Sequence, residues 1–246
     1  MNFKTFNSII GATAITAMTF ISPVGIESSF AQQAEQIGTN LSEEKAEDTQ
    51  TAKDIANLNL AYGLAQYGRE TKDPQMLINA AKIIKEIPTE SLTMEKTSEG
   101  ETTEVADATK AEGAGFTVEE LLAEAKELAD GDSSIIAMAD TVADSGASTR
   151  GRIGGPIRHA DRVLARSTDR YTMRFRAGYP ARIAVQGDGD TDLDCYLYDG
   201  NGNLIRSSTN YSDRCLIGWT PAWTGTYTLS IKNRGLVYNR YLLYTN

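Results

Sequence analysis

Along the last third of the chain, apolar and polar positions alternate in short runs. Tyr171, Met173 and Phe175 interleave with Thr172, Arg174 and Arg176, and Ile183 and Val185 with Arg182 and Gln186. Tyr227, Leu229 and Ile231 interleave in the same way with Thr226, Thr228 and Ser230. A period of two puts successive side chains on opposite faces of an extended strand, so each run predicts a half-buried β-strand. The clearest run leaves an acidic, glycine-broken loop that starts at Gly187. Leu193, Cys195 and Leu197 fall on one face, and Asp192, Asp194, Tyr196 and Tyr198 on the other. The turn Asp199-Gly200-Asn201-Gly202 ends it and Leu204-Ile205 resume. Cys215, Ile217 and Trp219 form another strand, and Tyr241 and Leu243 the last. About seven short strands with turn signals between them predict an antiparallel, jelly-roll-like β-sandwich over residues 157–246.

Upstream the period changes to 3.6. Leu58, Leu60, Ala61, Leu64, Ala65 and Tyr67 make one apolar stripe, and Leu77, Ile78, Ala81, Ile84 and Ile87 a second. Asp73-Pro74 is a helix start, and Pro88 a stop. Thr117 and Glu120 have the spacing of a capping box, and Gly131 suits a left-handed helix end, with Asp132 capping the next helix. Two helix hairpins, each too small to bury its own stripe, predict a small bundle over residues 53–147. The fold class is therefore α+β. Residues 89–115 are rich in Thr, Glu, Ser and Gly and read as a flexible loop. Residues 148–156, with Gly151, Gly154, Gly155 and Pro156, read as a linker.

The N-terminus reads as a signal peptide. Lys4 precedes an uncharged apolar stretch from Ile9 to Ile21, and Ser29-Phe30-Ala31 is a small-x-small site, giving cleavage after residue 31. That stretch is about 13 residues, short of the roughly 20 needed to span a bilayer, although an uncleaved anchor is the alternative. Residues 32–52 are polar, Glu-rich and aperiodic, which predicts disorder. The expected location is periplasmic or secreted. In such a compartment the pair Cys195 and Cys215 reads as a disulfide, since both share phase with core residues; two buried free thiols are the alternative.

Charge divides the chain. Residues 32–150 carry 24 acidic and 10 basic side chains, and residues 151–246 carry 8 and 13. The basic half is almost all Arg. Three readings stand open: Arg on outward strand faces that keep the sheet soluble, an anion-binding surface, or docking between the two halves. Nucleic acid is excluded as a partner by export, by the acidic total and by the lack of any basic run.

Several pieces together resemble a known family. They are Tyr-Thr-Met-Arg-Phe at 171–175, the run Gly187 to Asp199, Pro221-Ala222-Trp223-Thr224-Gly225-Thr226-Tyr227, and the closing Tyr241-Leu242-Leu243. They resemble the bacterial pre-peptidase C-terminal domain, a sandwich that trails secreted peptidases and other exported enzymes. The resemblance covers residues 157–246 and implies an accessory or binding role, sometimes with calcium. No peptidase domain precedes the module here.

Asp188, Asp190 and Asp192 alternate in the acidic loop, with Asp199 and Asn201 nearby, and calcium favours such oxygens. The run departs from the EF-hand pattern, with Leu193 where its glycine belongs, and Asx-turns are the plainer reading. For catalysis the sequence offers little. His159 is the one histidine, no nucleophile elbow occurs, and a hydrolase would have to use the Asp cluster. Tyr196 and Tyr198, with Arg174 and Arg176 on nearby strands, form a candidate binding face for sugars, peptides or acidic polymers. The sequence thus points to an exported, non-catalytic accessory protein of the cell envelope, contacting protein or polysaccharide through its sandwich. The alternative is a structural protein whose sandwich docks the acidic bundle for a protein partner. No cofactor is required, and calcium is optional.

Overall fold

The computed structural model describes residues 38–100, 115–146 and 154–246. The signal sequence, the middle of the 89–115 loop and most of the 148–156 linker lie outside the described residues. Four helices come first: α1 (Gln50–Thr71), α2 (Pro74–Glu86), α3 (Val118–Leu128) and α4 (Ser133–Asp144). Their ends follow the cap signals. Thr49 accepts from Ala52 N–H, Asp73 caps α2 ahead of Pro74, Thr117 and Glu120 form a full capping box, and Asp132 accepts from Ser134 N–H. Gly131 takes the left-handed backbone, φ +85°, between α3 and α4. Leu77, Leu121, Leu122, Ala125 and Ala139 are buried in the bundle's core.

The strands are β1 (Glu90–Ser91), β2 (Thr97–Glu99), β3 (Ile157–Val163), β4 (Thr168–Phe175) and β5 (Ala181–Gly187). They continue with β6 (Leu193–Asp199), β7 (Leu204–Ser208), β8 (Arg214–Trp219), β9 (Gly225–Asn233) and β10 (Asn239–Thr245). Two five-stranded sheets form, ordered β1-β3-β10-β5-β8 and β2-β4-β9-β6-β7. Every pairing is antiparallel except β1 with β3. The alternating residues meet between the sheets as expected: Tyr171, Ile183, Leu193, Leu197, Ile217, Leu229 and Leu243 share one buried core. Cys195 of β6 and Cys215 of β8 are joined by a disulfide across it, with Cα atoms 6.2 Å apart.

Three segments differ from the sequence reading. Residues 38–49, expected to be disordered, lie along the sandwich. Asn40 is buried; its N–H donates to Asp199 (2.8 Å), its amide exchanges hydrogen bonds with the Trp223 backbone, and its carbonyl accepts from Tyr227 Oη (2.6 Å). Residues 90–99, expected within a flexible loop, supply edge strands to both sheets. The linker's end is packed: a Cβ on Gly155 would meet the Pro88 carbonyl at 2.0 Å, so that close approach needs glycine. Polar hydrogen bonds at long sequence separation leave no periodic trace, which is why none of the three was legible.

The helices lie on the sandwich. Ile55, Leu58 and Tyr62 of α1 pack on Ala184 of β5 and on Leu242 and Tyr244 of β10, and the Tyr62 and Tyr244 hydroxyls bond at 2.8 Å. The interface is mainly apolar. Its charged contacts include the Arg182–Asp48 ion pair, and Arg214 also donates to the Asn59 carbonyl.

Candidate binding face

The two sheets are covered unequally, and local sequence explains this. In β10, Tyr241, Leu242, Leu243 and Tyr244 are all buried, as are Ile183, Ala184 and Val185 of β5. Strands buried on both faces read as unbroken apolar runs. The inward set joins the core and the outward set meets α1. In β4, β9 and β6 the outward positions are polar instead, and no helix among the described residues covers them.

Register turns those positions into rows. Arg170 of β4 pairs with Ser230 of β9, which pairs with Tyr196 of β6. Thr172, Thr228 and Tyr198 form the next row, Arg174 and Thr226 lie beyond it, and Thr168, Lys232 and Asp194 lie on the other side. Apart from Arg174 and Asp194, the residues of these rows line a shallow concavity of about 840 Å³. Tyr196 and Tyr198 are half-buried there, and Arg174 is exposed.

The structure therefore brings three of the four sequence-predicted face residues, Arg174, Tyr196 and Tyr198, onto one surface. Arg174 stands beyond the residues that line the concavity, and Arg176 lies outside it as well. Arg176 follows the end of β4, and its guanidinium lies 4.6 Å from the centre of the Tyr179 ring. Arg170, Thr228 and Lys232 were missed, although each shares phase with residues already assigned outward.

The acids of the face are engaged. Glu99 of β2 forms an ion pair with Arg170, whose hydrogen bond holds the Glu99 carboxyl below the usual range. Asp194 is buried and bonds Arg234 Nε at 2.5 Å. Burial pushes the Asp199 carboxyl up, but donation from the N–H groups of Asn40, Asn201 and Asn203 outweighs it and leaves the group below its ordinary value.

The five proposed calcium ligands are not drawn together. Asp188 bonds Arg240 from the end of β5, Asp192 accepts from Ser212 N–H, and Asp199 and Asn201 belong to the β6–β7 turn. Among the described residues no group of three or more His, Cys, Asp or Glu could hold a metal ion. Divergent strand ends separate the acids, and the Asx-turn reading fits Asp199.

A second polar cluster was missed altogether. Between the sheets, Tyr171 and Tyr241 hydroxyls meet at 2.5 Å; Tyr171 also donates to Asp161 (3.1 Å) and Tyr241 to Asp169 (2.9 Å). His159 Nε2 is 3.2 Å from Tyr171 Oη. Lys96 closes the cluster, with Nζ 2.8 Å from Asp161, 2.9 Å from Asp169 and 2.7 Å from the Arg162 carbonyl. Burial pushes both phenols well above their ordinary value, so they serve as hydroxyl donors.

No family model matches this chain, and neither does any curated protein. Among solved structures it is similar to the pre-peptidase C-terminal domain of a collagenase from Bacillus anthracis, at 17% identity and a TM-score of 0.31, over 39% of this chain and 92% of that one. It is also similar to Aeromonas hydrophila PliG, a periplasmic inhibitor of g-type lysozyme (12% identity, TM-score 0.30, 37% of this chain and 84% of that one). A third is the Yersinia pseudotuberculosis-derived mitogen (11% identity, TM-score 0.32, 38% and 86%). The first belongs to the family that the strand motifs resemble. At these scores the similarities carry no argument about function, which has to come from the face itself.

Proposed function

We propose that this protein is a non-catalytic binding module of an extracytoplasmic compartment, and that it holds a protein or polysaccharide of the cell envelope on the outward face of the β4-β9-β6 sheet. One observation carries the reading: the other sheet's outward face is apolar and covered by α1, whereas this one is polar, concave and, among the described residues, uncovered. Tyr rings beside Arg and hydroxyl groups suit polar polymers. The Cys195–Cys215 disulfide supports an oxidising location. A non-catalytic role is supported by the state of Asp161, Asp169, Asp194, Asp199, Tyr171 and Tyr241, which are bound into hydrogen bonds within the fold.

The test is retention of the full chain on isolated envelope material. Tyr196→Ala with Tyr198→Ala lowers retention about tenfold or more, as loss of two aromatic contacts implies, while the melting temperature stays within about 2 °C because both side chains point away from the core. Unchanged retention would refute the assignment of the face.

A further inference from the structure

We propose that the polymer held on this face is an acidic polysaccharide, a linear glycan bearing carboxylates; the proposal rests on the binding-face reading above. The face carries cations and acids, but its acids already have partners. Glu99 is bound to Arg170, Asp194 to Arg234, and Asp199 to the N–H groups of its own turn and of Asn40. Arg174 and Lys232 have neither hydrogen bond nor ion pair among the described residues. They stand at opposite ends of the outward rows, Arg174 beside Thr226 and Lys232 beside Thr168. Among the described residues, the charge left for a ligand is positive at both ends.

Between those cations lie the hydroxyls of Thr172, Thr228 and Ser230 and the rings of Tyr196 and Tyr198. Hydroxyls that both donate and accept match sugar hydroxyls, and flat rings match the apolar faces of pyranoses. A peptide would be anchored by apolar pockets, yet no aliphatic side chain occupies an outward position of β4, β9 or β6 between Thr168 and Arg174, Thr226 and Lys232, or Asp194 and Tyr198. The chain also supplies a precedent, because Glu99 already places a carboxylate on this surface, at Arg170.

The probe is polygalacturonate, compared with its fully methyl-esterified form, both presented to the full chain. The acid form is expected to bind at least about tenfold more tightly, and to weaken as salt shortens the screening length from about 30 Å to 8 Å. Arg174→Gln with Lys232→Gln should remove most of that preference without lowering the melting temperature. Equal, salt-independent binding of both polymers, abolished by Tyr196→Ala with Tyr198→Ala, would overturn the acidic inference and leave the face standing. Stronger binding of polyglutamate than of polygalacturonate would overturn it in favour of a peptide. Binding of none of the three would overturn it, and if the Tyr variants also kept full retention on envelope material, the face reading would go with it.

Discussion

Replacing Lys96 with Met should be among the most damaging single changes outside the apolar cores. The ammonium sits between Asp161 and Asp169, and the Asp169 side chain is only 2% exposed. At 2.9 Å and an effective dielectric near 20, one such pair is worth on the order of 5 kcal/mol before desolvation. Desolvation of the lysine offsets part of this, but removing one partner leaves a buried carboxylate uncompensated, which costs about 3–5 kcal/mol. For a domain of this size that corresponds to a fall of roughly 10 °C in melting temperature. Met keeps the aliphatic stem, so lost packing is a minor contributor. Thermal unfolding at neutral pH reads the effect, and Asp169→Asn made in the same background supplies the control. If the unpaired charge is the cause, the double variant recovers at least about 1 kcal/mol relative to the sum of the single changes. A fall below about 2 °C for Lys96→Met, or strict additivity in the double variant, would refute the reasoning and reduce Lys96 to an exposed ion pair worth under about 1 kcal/mol.

Reducing the disulfide, or replacing both cysteines with Ala, should cost about 3 kcal/mol for a loop of 20 residues, read as a denaturant midpoint with and without reductant. Asp213 and Asp199 should titrate with opposite signs. Burial raises the Asp213 carboxyl, so its contribution is present below the unfolded pKa and is lost as pH rises through the folded one. Asp213→Asn should therefore raise the melting temperature at pH 7 and lose that advantage toward pH 3. Asp199 is depressed, so its contribution is present above the unfolded pKa and is lost as pH falls through the folded one; Asp199→Asn should destabilise at pH 7, and the gap should close in acid. Leu58→Ala, beneath the helical layer, should cost about 2–5 kcal/mol, nearly independent of salt because the contact is apolar.

What was legible in the sequence was whatever repeats locally. Strand alternation placed Leu193, Cys195 and Leu197 in the core, and short-range cap chemistry placed the starts of α2, α3 and α4. Asn40 and Lys96 left no such trace, since each acts through polar bonds to residues far away in the chain. The proposed calcium ligands are dispersed for a related reason: alternate spacing along a loop does not make side chains converge when neighbouring elements take each acid separately. One signal was present but unread. The unbroken apolar run Tyr241-Leu242-Leu243-Tyr244 marks a strand covered on both faces, whereas Thr226 to Ser230 marks one left open, and that contrast locates the candidate face.

The same contrast sorts the three readings of the Arg-rich half. Docking accounts for Arg182 and Arg214, which reach Asp48 and the Asn59 carbonyl on the helical side. Internal acids account for Arg170, Arg234 and Arg240, which hold Glu99, Asp194 and Asp188. The acidic helices settle on the sandwich through Ile55, Leu58 and Tyr62 rather than through charge, so docking does not draw off the cations of the opposite sheet. Arg174 and Lys232 stay on that sheet without a partner among the described residues. A surface Arg kept only for solubility would gain nothing from sharing a sheet face with two tyrosines and a row of hydroxyls, whereas a site for an anionic polymer requires that company.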